Sequence, residues 1–169
     1  MKVKDALRTQ YHFFYLTTKG NLEGISAEDS LVQPSPGGNC ANWILGHLLR
    51  AHNGVMGLVK EAPVWESEDL SRANTEPITS ADQAIHWDTM VTNLVGSEDR
   101  LMAGLEALTE QQLDDEGFTD PFGNSVTRGE LLNLMAVHQN YHAGQLGMSR
   151  RLAGYPGAIR PPQAQEVGS

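Results

Sequence analysis

The sequence predicts an all-α fold, a four-helix bundle with long crossover connections, and three observations carry that prediction. Four long stretches place apolar residues at intervals of three and four, the period of a helix with one buried face. Three positions pair a Ser or Thr with a Gln or Glu three residues later, the form of a helix-capping box: Ser80 with Gln83, Thr109 with Gln112, and Thr127 with Glu130. No segment sustains the alternation of a half-buried strand, and Gly- and Pro-rich stretches separate the periodic ones.

In the first stretch, Val3, Leu7, Tyr11, Phe14 and Leu22 fall on one face of a helix reaching about Leu22. Gly24 and the segment Pro34 to Gly38 then break the pattern, with Ser26 offering a capped turn between them. Asn39 is placed to cap a second helix, whose inward seam runs Cys40, Ile44, His47, Ala51, Val55 and Leu58 as far as about Val59. Pro63 and Pro77 bracket an acidic, polar stretch that reads as an irregular crossover loop, with Trp65 as its anchor.

The Ser80 capping box predicts a long third helix through Ile85, Thr92, Val95, Met102 and Leu105 to about Leu108. Thr109 to Gln112 repeats the capping pattern, and Gly117, Pro121 and Gly123 mark a second irregular connection. The Thr127 box opens the last long helix, through Leu131, Leu134, Met135, His138, His142, Leu146 and Leu152, which Gly154, Pro156 and Gly157 stop.

A length of 169 residues suits one domain, drawn at 1–154 with an extended or flexible tail at 155–169. The net charge of −9, with no basic stripe, speaks against a nucleic-acid partner. No run approaches the roughly 18 uninterrupted apolar residues of a membrane span. The opening Met-Lys-Val-Lys-Asp-Ala-Leu lacks an apolar signal core, so a cytoplasmic protein is expected. Cys40 is the single cysteine, which excludes a multi-thiolate zinc site; any metal must be held by imidazole and oxygen.

Chemistry concentrates in the last helix. His138 and His142 are four residues apart, so their side chains leave the helix about 40° apart around its axis and about 6 Å apart along it, a chelating spacing. His47 lies on the inward seam of the second helix, so all three imidazoles should point into the bundle. Two readings account for them: packed histidines bonded to the backbone or to each other, or a divalent metal that takes three ring nitrogens at once. Three protein ligands leave coordination positions open, the arrangement of catalytic sites.

The combination of Trp43-Ile44-Leu45-Gly46-His47-Leu48 with His138-x3-His142-x2-Gln145 resembles the DinB-like (damage-inducible) metal-binding four-helix bundles, from the first helix to about Gly154. That resemblance implies metal ligands at His47, His138 and His142, a divalent ion such as nickel or zinc, and a homodimer. Characterised relatives include transferases and isomerases that use low-molecular-weight thiols, and others are read as hydrolases. The implied function is a metal-dependent hydrolase or thiol-dependent transferase that activates water or a low-molecular-weight thiol on a small-molecule substrate, admitted through the loops at 60–79 and 116–126. The competing class is a non-catalytic dimeric bundle in which metal is structural or absent.

Other residues are weighed against blander roles. Gln145, one turn after His142, either orients a ligand or bonds a neighbouring helix. Cys40 lies about 10 Å along the helix from His47, too far to share its metal, and reads as a small buried residue. His52 should face away from His47, about 140° round the helix. His12 and His86 could approach the site only through bundle geometry that the sequence does not fix. Asp88 and Asp99, near the inner seam of the third helix, are either a fourth ligand, an acceptor for a ligand or a base, or, the blander reading, solvated edge residues. Trp43 either lines the pocket wall or simply packs.

Overall fold

The structure, a computed structural model, describes residues 3–159, so the greater part of the expected tail, 160–169, lies outside the described residues. Its long helices are α1 (Val3–Leu22), α2 (Ala41–Leu58), the consecutive pair α4 (Trp87–Gly96) and α5 (Glu98–Ala107), and α7 (Arg128–Leu152). Two one-turn helices, α3 (Arg72–Thr75) and α6 (Glu110–Leu113), and a two-residue hairpin, β1 (Phe118–Thr119) with β2 (Ser125–Val126), occupy the connections. The architecture is all-α, with α4 and α5 together forming the third arm of a four-arm bundle.

The periodic apolar residues make the core. Leu7, Tyr11, Phe14 and Tyr15 of α1 and Leu45, Leu48, Leu49 and Met56 of α2 are fully buried, and α7 packs chiefly against these two helices. Val3, expected on the buried face, is 54% exposed, because it precedes the first residues that α1 sets against the core. Both later capping boxes form: Thr127 Oγ1 accepts from the Glu130 N–H at 3.2 Å while Glu130 returns a carboxylate oxygen to the Thr127 N–H at 2.8 Å, and Thr109 with Gln112 does the same. At the other end of α7, Gly154 takes a positive φ of 88°, and the Tyr155 N–H closes back on Arg150 O at 3.1 Å.

Three boundaries differ from the sequence reading. Helix α2 is capped by Cys40, not Asn39, and without a side-chain hydrogen bond. The Ser80 box does not form, because Gln83 Oε1 accepts instead from the Thr79 N–H (2.9 Å) and hydroxyl (3.1 Å). The third helix therefore starts only at Trp87. Between them Ile85 is held extended by the buried Asn42 of α2, whose side chain accepts from its N–H and donates to its carbonyl, both at 2.9 Å. The expected crossover loop is also more regular than anticipated: Glu68–Ser71 makes a 3-10 turn that leads into α3, with Leu70 and Ala73 buried.

The third arm also breaks at Ser97. The hydroxyl of Ser97 donates to Leu94 O at 2.6 Å, a side-chain bond that competes with the helical ladder just after Gly96. Its oxygen meets Tyr15 Oη of α1 at 2.8 Å, Tyr15 Oη meets His52 Nε2 of α2 at 2.9 Å, and Gln139 Nε2 of α7 donates to His52 Nδ1 at 3.0 Å. The protons then run one way, from Gln139 to His52 to Tyr15 to Ser97 to Leu94 O, and each buried donor finds an acceptor. One hydrogen-bonded chain thus joins all four arms.

Candidate metal centre

Helix α2 carries His47 on its second turn, and α7 carries His138 and His142 on adjacent turns of one face. The three Nε2 atoms converge: His138 Nε2 lies 3.2 Å from His47 Nε2 and 3.1 Å from His142 Nε2. Of the rings' other nitrogens, His47 Nδ1 donates to Ala73 O in α3 at 3.0 Å, and His142 Nδ1 donates to Gln145 Oε1 at 2.7 Å. Because both acceptors are carbonyl oxygens, these bonds fix the proton on Nδ1 and leave a lone pair on Nε2.

This arrangement fits a metal ion and sits poorly without one. His138 Nε2 faces two lone pairs and can offer a proton to one of them, which leaves the other lone pair at hydrogen-bonding distance from a nitrogen with no hydrogen to share. His138 Nδ1 is buried with no partner among the described residues. Two nitrogens each about 2.1 Å from a common ion lie about 3.0 to 3.4 Å apart for octahedral to tetrahedral angles, which brackets the observed separations. The three histidines could therefore hold a metal ion.

The surroundings keep the rings neutral at neutral pH. Burial lowers the pKa of all three, most for His142, which is 8% exposed and pushed down to about 4 against the opposing effect of its Gln145 bond. Beside it, the His138 and His47 rings add to the lowering, and Arg50 adds to it at His47. Trp43 stacks on His47 with ring centroids 5.0 Å apart and planes within 6°, and is itself held by its indole N–H donating to Glu76 O at 2.8 Å. A cavity of about 510 Å³ opens beside His47 and His138, bounded by α2, α7 and the 120–123 hairpin tip.

Of the residues weighed from sequence, His47, His138, His142, Gln145 and Trp43 come together. His52 faces the other side of α2, into the core. His12 is exposed and lies 3.4 Å from Glu98, His86 is exposed and meets Thr89 Oγ1 at 2.9 Å, and Asp88 and Asp99 are exposed. Cys40 is buried against Ile78 O. Arg50, Phe122 and the Ala73 carbonyl were not anticipated. Arg50 follows His47 by three residues, a spacing that puts both on one face, whereas nothing in the side chains announces a backbone acceptor in α3.

Gly46 makes the α3 contact possible. A Cβ there would lie 2.9 Å from Ala73 Cβ and 2.7 Å from Ile85 Cδ1. The Ile85 methyl can rotate away, but Ala73 can yield only by shifting the backbone whose carbonyl orients His47. Gly46→Ala is therefore expected to cost about 1–3 kcal/mol in urea unfolding, despite the better helix propensity of Ala, and to weaken metal binding with it. An unchanged unfolding midpoint would show that α3 yields freely.

No described helix is long and apolar enough to cross a membrane. The sequence pattern of the DinB superfamily matches residues 16–146. The chain is 28% identical over 134 residues to a Bacillus subtilis (strain 168) protein named uncharacterized protein YjoA, covering 79% of each. It superposes on the crystal structure of a conserved protein from Enterococcus faecalis with a TM-score of 0.67 at 18% identity, covering 90% of this chain and 98% of that one, a likeness of fold. With its all-α architecture, its three-histidine cluster and a family match spanning most of its length, the chain belongs to the DinB superfamily.

Proposed function

We propose that His47, His138 and His142 ligate a divalent metal, nickel or zinc, and that the protein is a metal-dependent enzyme, a hydrolase or thiol-dependent transferase, acting on a small molecule in the adjoining cavity. The observation that carries this reading is the convergence of three Nε2 atoms at 3.1 and 3.2 Å, with the Nδ1 protons of His47 and His142 committed elsewhere. An ion with open positions supplies Lewis acidity that makes water or a low-molecular-weight thiol a competent nucleophile at neutral pH. The chain's own part is to aim and to shield. Ala73 O and Gln145 hold the rings in the ligating tautomer, while Trp43 stacks on His47 and Tyr141 meets His142 in a T-shaped contact.

Elemental analysis of the purified protein tests the reading, followed by assays with thiol cosubstrates and simple esters or amides. Stoichiometric nickel or zinc with turnover that a chelator abolishes is expected. A metal-free protein whose thermal stability ignores both ions would favour a non-catalytic bundle instead. Gln145→Leu should remove the acceptor for the His142 proton and weaken metal affinity about 10- to 100-fold, read by competition with a chromophoric chelator. Affinity unchanged in that variant would reduce Gln145 to a packing role.

A homodimer is part of the same proposal. Val137, Tyr141 and Met148 form an exposed apolar stripe along α7, and Phe13 and Leu16 are exposed on α1, which packs beside it. Light scattering is expected to give twice the chain mass.

A further inference from the structure

The cavity beside the histidines has a composition that selects a ligand. One wall is apolar, made by Leu134 and Met135 of α7, and Pro121 and Phe122 close it from the hairpin tip. Phe122 is 80% exposed, so its ring is left uncovered. The tip is nonetheless tightly wound: Asp120 accepts from the N–H groups of Phe122 (2.9 Å) and Asn124 (2.8 Å) and from the Asn124 side chain (2.9 Å), and Gly123 takes φ 88°. An aromatic ring presented to an open cavity by an ordered turn is a surface for an apolar group.

The same cavity holds one cation and no carboxylate. Arg50 lines it one turn beyond His47, and its side-chain partner is the neutral Asn74 Oδ1 at 2.6 Å. Among the described residues no acidic side chain comes within ion-pair distance of Arg50, although the chain holds 21 acidic residues against 12 basic ones. A guanidinium left without a counter-charge in so acidic a protein offers its fork to an anion. One cation within a net charge of −9 neutralises one negative charge and not two, which selects a carboxylate over a phosphate dianion.

We propose that this cavity binds small molecules carrying a carboxylate on an apolar body, with the carboxylate on Arg50, the apolar body between Phe122 and the Leu134–Met135 wall, and the remaining end toward His47 and His138. This rests on the metal-site reading only for which end reacts. Binding itself does not, so it is tested on the full chain stripped of metal and kept in chelator, which also removes any ion as a competing carboxylate ligand.

Phenylbutyrate, phenylbutanol and phenylbutylamine share one apolar body and differ in charge. Their binding is read by amide shifts in heteronuclear NMR. The acid is expected to bind about five- to tenfold tighter than the alcohol, the amine to bind weakest, and the shifts to gather around Arg50, Phe122 and Met135. Arg50→Gln keeps a side-chain amide for Asn74 and should abolish the preference for acid over alcohol while leaving the alcohol's affinity in place. Phe122→Ala, at an exposed position, should weaken acid and alcohol by the same factor. Equal affinities for acid and alcohol, a preference that survives in Arg50→Gln, shifts clustered elsewhere, or no binding at millimolar concentrations would each overturn the proposal. A preference found in protein that never retains metal would sustain it while removing the enzyme reading.

Discussion

His142→Ala is expected to lower the affinity of the cluster for zinc or nickel by about two to three orders of magnitude while leaving the bundle folded. A four-ligand structural zinc site is worth about 10–16 kcal/mol, so one imidazole accounts for about 2.5–4 kcal/mol. The loss should reach the fold only weakly, because the side chain removed is also one of three crowded nitrogen ligands, 3.1 and 3.2 Å apart, that a single proton on His138 Nε2 cannot satisfy together. Competition with a chelator measures the affinity, and circular dichroism checks the fold. His12→Ala, which removes an exposed ring paired with Glu98, is the matched control and should bind metal like the parent. A folded His142→Ala protein that kept its ion at full strength would take His142 out of the ligand set.

Acid should destabilise the bundle through His52, a histidine that takes no part in the cluster. Burial pushes its pKa down to about 4, against the 6.5 of an exposed ring, with the Gln139 bond acting the other way. The unfolded chain therefore binds a proton on this ring at higher pH than the folded chain does. Stability is unaffected above the unfolded value, falls as pH drops from about 6.5 to about 4, and levels off below, for a total of about 3 kcal/mol. His52→Gln should start lower at pH 7, because it interrupts the chain of hydrogen bonds from Gln139 to Ser97, yet lose about 3 kcal/mol less on acidification. Other groups titrate in the same window, so the difference between the two urea-unfolding profiles is the quantity that counts. Parallel profiles would contradict the assignment.

The bundle and the three histidines were legible in the sequence because both are written in side-chain spacing. His138 and His142 announce one helix face by their interval, and the apolar seam around His47 points it inward. What spacing could not convey is who satisfies the backbone. The third helix was drawn from Ser80 to Leu108 on a capping pattern and the apolar period, but Gln83 bonds Thr79 instead, Asn42, far away in sequence, takes both polar groups of Ile85, and Ser97 turns its hydroxyl on the ladder. The same applies at the site. The spacing reached Gln145, whereas the carbonyl of Ala73 belongs to a segment read as structureless, and Arg50 passed unremarked because a charged residue on a helix edge is usually only solvated.

The Nε2 contact between His47 and His138 joins residues 91 positions apart, on the second and last long helices. An ion shared by those two rings is a reversible cross-link that closes most of the chain into a loop, and it exists only while α2 and α7 are docked. Its contribution to folding grows with the logarithm of the free ion concentration above the dissociation constant. Scarcity of the ion would then lower the margin of stability of a bundle that its apolar core still keeps folded.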